Sequence, residues 1–204
     1  MAKKTAKKAA KKTVRKAAKK AASKKKTSKS TTSKKPVATG TRAAAAAASG
    51  VLEPGALAPA FTLRDQSGVA RSLSDYAGKP LILYFYPKDD TEDCTAEACA
   101  FNDRLPALAK TGAAVLGISR LDVKSKAKFA AKHGITFPLL ADEQGEVAST
   151  YGTWVEKSMY GKKFMAVSRT TYLIDSQGRV ARRWDKVEVE GHANDVTKAL
   201  AALK

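Results

Sequence analysis

The chain has 204 residues and a formal net charge of +19, with 38 lysines and arginines against 19 aspartates and glutamates. The excess is confined to residues 1–50, which carry 15 Lys and 2 Arg and no acid, whereas residues 51–204 are nearly balanced at +2 (21 basic minus 19 acidic residues). No run approaches the roughly 20 apolar residues that span a bilayer, and no apolar stretch of about 7–15 residues follows the basic start, so the composition argues against a membrane protein and a secretory signal.

This charge split predicts two domains, a disordered Lys/Ala-rich basic tail at 1–50 and a folded domain at 51–204. The tail repeats an eight-residue pattern, since residues 3–10 are echoed by residues 11–18, and it has almost nothing to bury. The other 154 residues suffice for one domain with its own core.

The tail fits three roles: a solvated arm, a nucleic-acid-binding arm or a membrane anchor. Membrane attachment is the weakest, because apart from Val14 the repeats offer no aromatic or large aliphatic side chain to insert. The Lys-Ala repeats resemble linker-histone tails, and such a polycation binds DNA by releasing counterions, without reading the base sequence. We therefore predict non-specific DNA binding in the cytoplasm, at a bacterial nucleoid, or in the nucleus of a eukaryote. The cations assigned to this contact are Lys3, Lys4, Lys7, Lys8, Lys11, Lys12, Arg15, Lys16, Lys19, Lys20, Lys24, Lys25 and Lys26.

The spacing of apolar residues in the domain predicts strands and helices in alternation. In chain order these are a hairpin of strands 61–63 and 69–73, a strand at 81–86, a helix at 94–109, a strand at 113–118, a helix at 122–132, a strand at 137–140, a helix at 145–151, a hairpin of strands 169–175 and 179–184, and a helix at 191–203. The strand 81–86 is apolar on both faces and therefore central, and Pro106 is expected to kink or end its helix. The order predicts an α/β fold, a thioredoxin-like mixed sheet flanked by helices.

The two cysteines of the chain, Cys94 and Cys99, stand five residues apart where the predicted central strand gives way to a helix. Unpaired backbone N–H groups and the positive end of the helix dipole favour a thiolate there, and the thiolate is the nucleophilic form. Taken alone, such cysteines can also be small buried hydrophobic residues. Zinc is not expected, because only His133 and His192 could complete a ligand set, and both are expected at the surface or at helix ends.

The residues around the cysteines carry a resemblance to a known family. Pro87-x-x-x-Thr91-x-x-Cys94, continuing as Cys-Thr-x-Glu-Ala-Cys99, resembles the active-site segment of the peroxiredoxins, and within them the Q-type or bacterioferritin comigratory protein branch. The resemblance continues through the segments 117–119, 129–134, 137–140, 151–152, 159–164 and 169–175. It implies a thioredoxin-like fold for the whole domain and leaves the tail unexplained.

The resemblance implies a cofactor-free thiol peroxidase and a role for each motif residue. Cys94 is the expected peroxidatic cysteine and Cys99 the resolving one, joined in an intramolecular disulfide that thioredoxin or a similar dithiol protein reduces. Thr91 is expected to orient the peroxide and contact the thiolate, Pro87 to shield the pocket from water, and Arg169 to stabilise the thiolate and polarise the peroxide. The resemblance also implies that the protein is a monomer.

The spacing of the two cysteines implies a conformational change in this cycle. Five residues of α-helix rise about 7.5 Å, which exceeds the ~7 Å between Cα atoms that a disulfide can bridge. A bond between Cys94 and Cys99 therefore requires the first helical turn to unwind.

One departure from the family pattern concerns the two residues before the first cysteine. The family usually has Pro-Gly there, whereas this chain has Glu92-Asp93. Carboxylates suit a helix N-terminus but disfavour a neighbouring thiolate, so we expect both to point outward and activity to be retained. Two alternatives stay open: a DNA-binding structural protein with a weak or inactive peroxiredoxin-like domain, and a disulfide oxidoreductase, which the absence of a Cys-x-x-Cys pair disfavours.

Overall fold

The computed structural model describes residues 50–203. The predicted tail, with all of the cations assigned to DNA contact, lies outside the described residues except for Gly50. Within residues 50–203, no helix is both long enough and apolar enough to cross a membrane.

The described part of the chain alternates between strands and helices, largely as predicted. The elements are β1 (Thr62–Asp65), β2 (Ala70–Ser72), a 3₁₀ helix (Leu73–Tyr76), β3 (Leu81–Phe85), α1 (Glu92–Lys110), β4 (Ala114–Ser119), α2 (Val123–His133), β5 (Leu139–Ala141), α3 (Glu146–Thr150), β6 (Trp154–Met159), β7 (Lys162–Val167), β8 (Thr170–Ile174), β9 (Val180–Asp185) and α4 (His192–Ala201). Every predicted helix and strand corresponds to one of them, with shifts of a few residues at the ends.

Within residues 50–203, seven strands form one mixed sheet in the order β2-β1-β5-β4-β3-β8-β9. β3 pairs in parallel with β4 and β4 in parallel with β5, whereas β8 runs antiparallel to β3. The crossover from β3 to β4 contains α1, which makes a parallel βαβ unit. This topology confirms the predicted thioredoxin-like mixed sheet flanked by helices.

Strand β3 lies at the centre of the sheet and is buried on both faces. Ile82 and Tyr84 belong to a core cluster to which α1, α2 and α4 contribute, while Leu83 and Phe85 belong to the cluster on the opposite face, to which α3 contributes. Each such side chain stabilises the fold by about 1.5–3 kcal/mol through its burial. Because β3 is held on both faces, the loop that follows it starts from a rigid support.

The hairpin of β6 and β7 was not predicted as a pair of strands. It forms a separate two-stranded sheet, and its turn residues Tyr160 and Gly161 have φ angles of 50° and 73°. Turns of this kind favour Asn-Gly or Asp-Gly, so a tyrosine in the first position hides the usual signal. Lysines at 157, 162 and 163 also interrupt any apolar alternation along the two strands.

Helix α1 runs through Pro106 rather than ending there. The helix continues to Lys110, so Pro106 stands four residues before its last residue. Leu108, beyond the proline, is buried in the core, and this burial offsets the hydrogen bond that the proline cannot donate.

Candidate active site

The predicted site residues meet where the central strand ends. The register of β3 and β8 places Phe85 opposite Thr170, so Arg169, directly before Thr170, lies beside the loop that follows β3. That loop, residues 86–91, leads into α1, whose first turn carries Cys94. The sheet topology thus brings together a cysteine and an arginine that are 75 positions apart in sequence.

Arg169 connects this cysteine to a buried carboxylate. Its Nη2 donates to Cys94 Sγ at 3.5 Å, and its Nη1 donates to Glu97 Oε2 at 2.6 Å. Cys94 is 1% exposed, and the Arg169 side chain is 12% exposed. The guanidinium places a fixed positive charge and an N–H donor at the sulfur, so the arrangement supports nucleophilic chemistry at Cys94.

Glu97 completes this cluster and was not among the predicted site residues. It stands three residues after Cys94, so both side chains project from the same face of α1. Burial raises the pKa of Glu97 to about 7, although the Arg169 guanidinium opposes the shift. Its Oε1 atom is buried and has no hydrogen-bond partner among the described residues. Its place in the Cys-Thr-x-Glu-Ala-Cys motif is the sequence signal that could have identified it.

Glu92 and Asp93 are both exposed, and Asp93 also approaches Arg169. Both are exposed in the first turn of α1, where their charges suit the helix N-terminus. Asp93 Oδ2 lies 3.7 Å from Arg169 Nη2, with the Asp93 side chain 77% exposed, so solvent screens this charge.

Thr91 and Pro87 line the exposed side of the loop before α1. Thr91 is the N-cap of α1, and its hydroxyl donates to the Lys88 carbonyl oxygen at 3.4 Å. The hydrogen bonds formed among residues 50–203 include none between Thr91 and Cys94. The contact expected between the Thr91 hydroxyl and the sulfur is therefore not made in this conformation, and Pro87 is exposed beside it.

Cys99 lies on the same helix as Cys94. It is half-buried against the core cluster that contains Ile82 and Tyr84. Both thiols are free, and α1 is continuous from Glu92 to Lys110. The five-residue separation along an intact helix corresponds to a rise of about 7.5 Å. This conformation is the reduced form, in which the two sulfurs are held apart.

His192 is a core residue, contrary to the expectation that it lies at the surface or caps a helix. It begins α4, yet it is 5% exposed, and its Nε2 lies 2.8 Å from Thr171 Oγ1. Burial lowers the pKa of His192 to about 4, although Asp195 opposes the shift.

His133 ends α2, as expected, with its Nε2 2.8 Å from Asp90 Oδ1. Neither histidine belongs to a group of three or more metal-ligating side chains within residues 50–203.

The neutral state of His192 predicts a pH dependence of stability. Between about pH 6.5 and pH 4 the unfolded chain binds a proton at this position that the native protein excludes, so the free energy of unfolding falls as pH falls. The loss attributable to His192 reaches about 3 kcal/mol. Glu97, with its raised pKa, contributes the opposite slope between about pH 4.5 and 7. Urea unfolding of wild type and His192→Gln across this range isolates the histidine contribution, and equal slopes for the two proteins contradict it.

The folded domain is similar to known proteins. Residues 54–183 match the family model described as the AhpC/TSA family. A putative peroxiredoxin Bcp of Coxiella burnetii is 46% identical over 149 residues, which cover 73% of this chain and 99% of that protein. The peroxiredoxin Bcp of Bacillus subtilis is 40% identical over 153 residues, which cover 75% of this chain and 96% of that protein. The chain belongs to the peroxiredoxin family.

Within the family, this peroxiredoxin belongs to the Q-type or bacterioferritin comigratory protein branch, and it is a peroxidase. The solved structure of the Xanthomonas campestris bacterioferritin comigratory protein matches it with a TM-score of 0.70 at 41% identity, covering 74% of this chain and 97% of that chain. The resemblance found in the sequence is therefore confirmed for the domain. The family match begins at residue 54 and does not extend to the tail.

Proposed function

We propose that this peroxiredoxin reduces hydrogen peroxide and alkyl hydroperoxides with Cys94 as the attacking sulfur and without a cofactor. The 3.5 Å contact between Arg169 Nη2 and the Cys94 sulfur is the observation that carries the proposal. The Xanthomonas campestris relative is described by its alkyl peroxide reduction activity, which supports organic hydroperoxides as substrates beside hydrogen peroxide.

In the first step the Cys94 thiolate attacks one peroxide oxygen, forming an S–O bond while the O–O bond breaks. The departing alkoxide or hydroxide takes a proton and leaves as alcohol or water, and Cys94 becomes a sulfenic acid. Arg169 stabilises both the thiolate and the charge that develops on the departing oxygen. In this proposal the Thr91 hydroxyl leaves the Lys88 carbonyl oxygen to orient the bound peroxide, and Pro87 limits the access of water.

In the second step the Cys99 thiol condenses with the sulfenic acid, forming the disulfide and releasing water. Because the intact helix holds the two residues too far apart, the first turn of α1 unwinds before the bond forms. A dithiol protein such as thioredoxin then reduces the disulfide by exchange and is itself oxidised. One protomer contains both cysteines, so the cycle runs in a monomer.

Intact-mass measurement after one equivalent of peroxide tests this mechanism. The proposed cycle predicts the loss of two hydrogens and, after proteolysis, a peptide in which Cys94 is linked to Cys99. A protein whose mass is unchanged after peroxide treatment contradicts the proposal.

Replacing Arg169 with methionine is expected to slow the reaction of Cys94 with peroxide by about 10²- to 10³-fold, because a charged donor at the reacting centre is removed. Stopped-flow peroxide kinetics and the rate of iodoacetamide alkylation across a pH range measure the effect. Arg182→Met, at an exposed arginine on β9, is the matched control. The double variant Arg169→Met/Glu97→Gln removes the charge that the single change leaves unpaired in the core. A loss below about threefold in both variants contradicts the role of Arg169.

We further propose that the basic tail tethers the peroxidase to DNA without sequence preference. Residues 1–50 supply 17 cations and no anion, and a polycation of this kind exchanges condensed counterions for lysine and arginine contacts to phosphate. The protein then acts in the cytoplasm at the nucleoid, or in the nucleus if the host is a eukaryote. Peroxide is then removed beside the chromosome.

A further inference from the structure

Lys126 on helix α2 is a lysine with no solvent exposure. Its ammonium group donates to Tyr86 Oη at 2.8 Å, to Asp89 Oδ1 at 2.8 Å and to the hydroxyl of Ser119. An ammonium has three protons to donate, so each of them has an acceptor. Burial lowers the pKa of Lys126 to about 8, against the opposing effect of Asp89.

The acceptors of Lys126 come from two parts of the fold, the loop at residues 86–91 and the end of strand β4. Tyr86 directly follows β3, Ser119 ends β4, and Asp89 lies in the middle of the active-site loop at residues 86–91. The other oxygen of Asp89, Oδ2, accepts from Ser125 Oγ at 2.9 Å, and Tyr86 Oη donates to Asp89 Oδ1 at 2.7 Å. Asp89 is 5% exposed, so both of its oxygens are fixed inside the protein.

A second contact joins the next residue of the loop to the other end of α2. Asp90 has a φ of 60°, a left-handed conformation that is uncommon for residues other than glycine. Its carboxylate accepts from Lys132 Nζ at 2.7 Å and lies 2.8 Å from His133 Nε2. The loop is therefore attached to α2 at two successive residues, one contact buried and one at the surface.

We propose that Lys126 is a positioning residue for the peroxidase reaction, because it holds Asp89 and thereby fixes the loop that carries Pro87 and Thr91 and leads into the first turn of α1, where Cys94 lies. This inference rests on the proposed function of Cys94. Lys126 does not touch the substrate, and it acts through the loop. Burying a charged pair costs desolvation free energy, which an apolar pair avoids. The network therefore contributes more to the geometry of the loop than to the stability of the fold.

The same network limits which residues move when the disulfide forms. On the N-terminal side, Asp89 and Asp90 hold the loop to α2. On the C-terminal side, Phe101 of α1 is fully buried in the core. Unwinding is thus confined to the residues between 91 and 100, which contain both cysteines. After reduction of the disulfide, the helix refolds from a loop that has kept its position.

The test measures the first chemical step alone, in full-length protein carrying Cys99→Ser so that the reaction stops at the sulfenic acid. Hydrogen peroxide is mixed with the protein, dimedone traps the sulfenic acid, and intact mass gives the rate. We expect Lys126→Met and Asp89→Asn each to slow this step about 10- to 100-fold, since a displacement of about 1 Å at a reacting centre has effects of this size. Lys128→Met, at an exposed lysine on the same helix, should leave the rate within about twofold.

An apolar pair, Asp89→Leu with Lys126→Met, separates positioning from stability. It removes the buried charges together, so the melting temperature should return to that of the parent or exceed it, while the rate of sulfenic acid formation stays low. If the rate recovers together with the melting temperature, Lys126 is merely structural and the inference is overturned.

Tyr86→Phe removes one acceptor of the ammonium and keeps the ring, so it provides a milder variant if Lys126→Met does not fold. We expect it to slow sulfenic acid formation about threefold or more. Unchanged rates in folded Lys126→Met or, failing that, in Tyr86→Phe overturn the inference. A parent protein whose Cys94 does not react with peroxide overturns the proposed function instead, which keeps the two failures distinct.

Discussion

Replacing Cys94 with serine is expected to abolish peroxide turnover, lowering it at least ~10³-fold, to the background of the assay. The hydroxyl of serine is a far weaker nucleophile than a thiolate at neutral pH, and Arg169 has no anionic sulfur to stabilise in the variant. Because every later step needs the sulfenic acid at position 94, no other residue can substitute for this loss.

Cys99→Ser is the matched variant, because it removes the second sulfur and leaves the first step intact. It is expected to consume one equivalent of peroxide and then stop, since the sulfenic acid has no internal partner. With excess peroxide, Cys94 should proceed to the sulfinic acid. The difference between the two serine variants distinguishes an attacking sulfur from a resolving one.

The two variants are compared in a coupled assay with thioredoxin, thioredoxin reductase and NADPH, with intact mass as the second readout. Wild type should oxidise NADPH continuously, Cys94→Ser should not, and Cys99→Ser should show at most a single turnover. Continuous turnover by Cys99→Ser would mean that an external thiol resolves the sulfenic acid, which contradicts the intramolecular disulfide. Turnover by Cys94→Ser contradicts the whole mechanism.

The position of Cys94 could be predicted because it depends on local sequence. An apolar run at 81–86 ends in a proline, and a helical pattern begins a few residues later, so a cysteine at that boundary meets the positive end of a helix. The contact between Arg169 and Cys94 could not be predicted from local sequence, because it spans 75 positions. It follows from the register that sets Phe85 opposite Thr170. Periodicity identifies each strand but not its register with a partner, so only the family resemblance indicated Arg169.

Glu97 and Lys126 were missed for a related reason. Charged residues on amphipathic helices are usually exposed, and neither residue stands out in a pattern of apolar positions. Each is buried because a cation or an acceptor arrives from another element: Arg169 beside β8 for Glu97, and Asp89 of the loop for Lys126. The charges that shape this site therefore depend on tertiary pairing, which single-sequence periodicity does not reveal.

Neutralising the tail is expected to abolish DNA binding while leaving peroxide turnover unchanged. The variant replaces the thirteen cations between Lys3 and Lys26 with glutamine in the full-length protein, so that chain length is kept and four positive charges remain in residues 1–50. If about half of the 17 tail cations meet phosphates in wild type, the logarithm of affinity should fall with the logarithm of salt concentration with a slope of about −7 to −8. That slope corresponds to a loss of about 10⁴- to 10⁵-fold between 50 and 200 mM salt.

Fluorescence anisotropy with two DNA duplexes of unrelated sequence, each titrated at several salt concentrations, measures both the affinity and the slope. The wild-type protein should bind the two duplexes equally, because phosphate contacts carry no sequence information. The glutamine variant should lose most of this salt dependence, since it keeps four of the 17 tail cations and residues 51–204 carry a net charge of only +2. The NADPH-coupled assay should give the same turnover for both proteins, because Cys94 and Arg169 are unchanged. A glutamine variant that binds DNA as tightly as wild type, with the same slope, places the contact outside the tail and rejects tethering by residues 1–50.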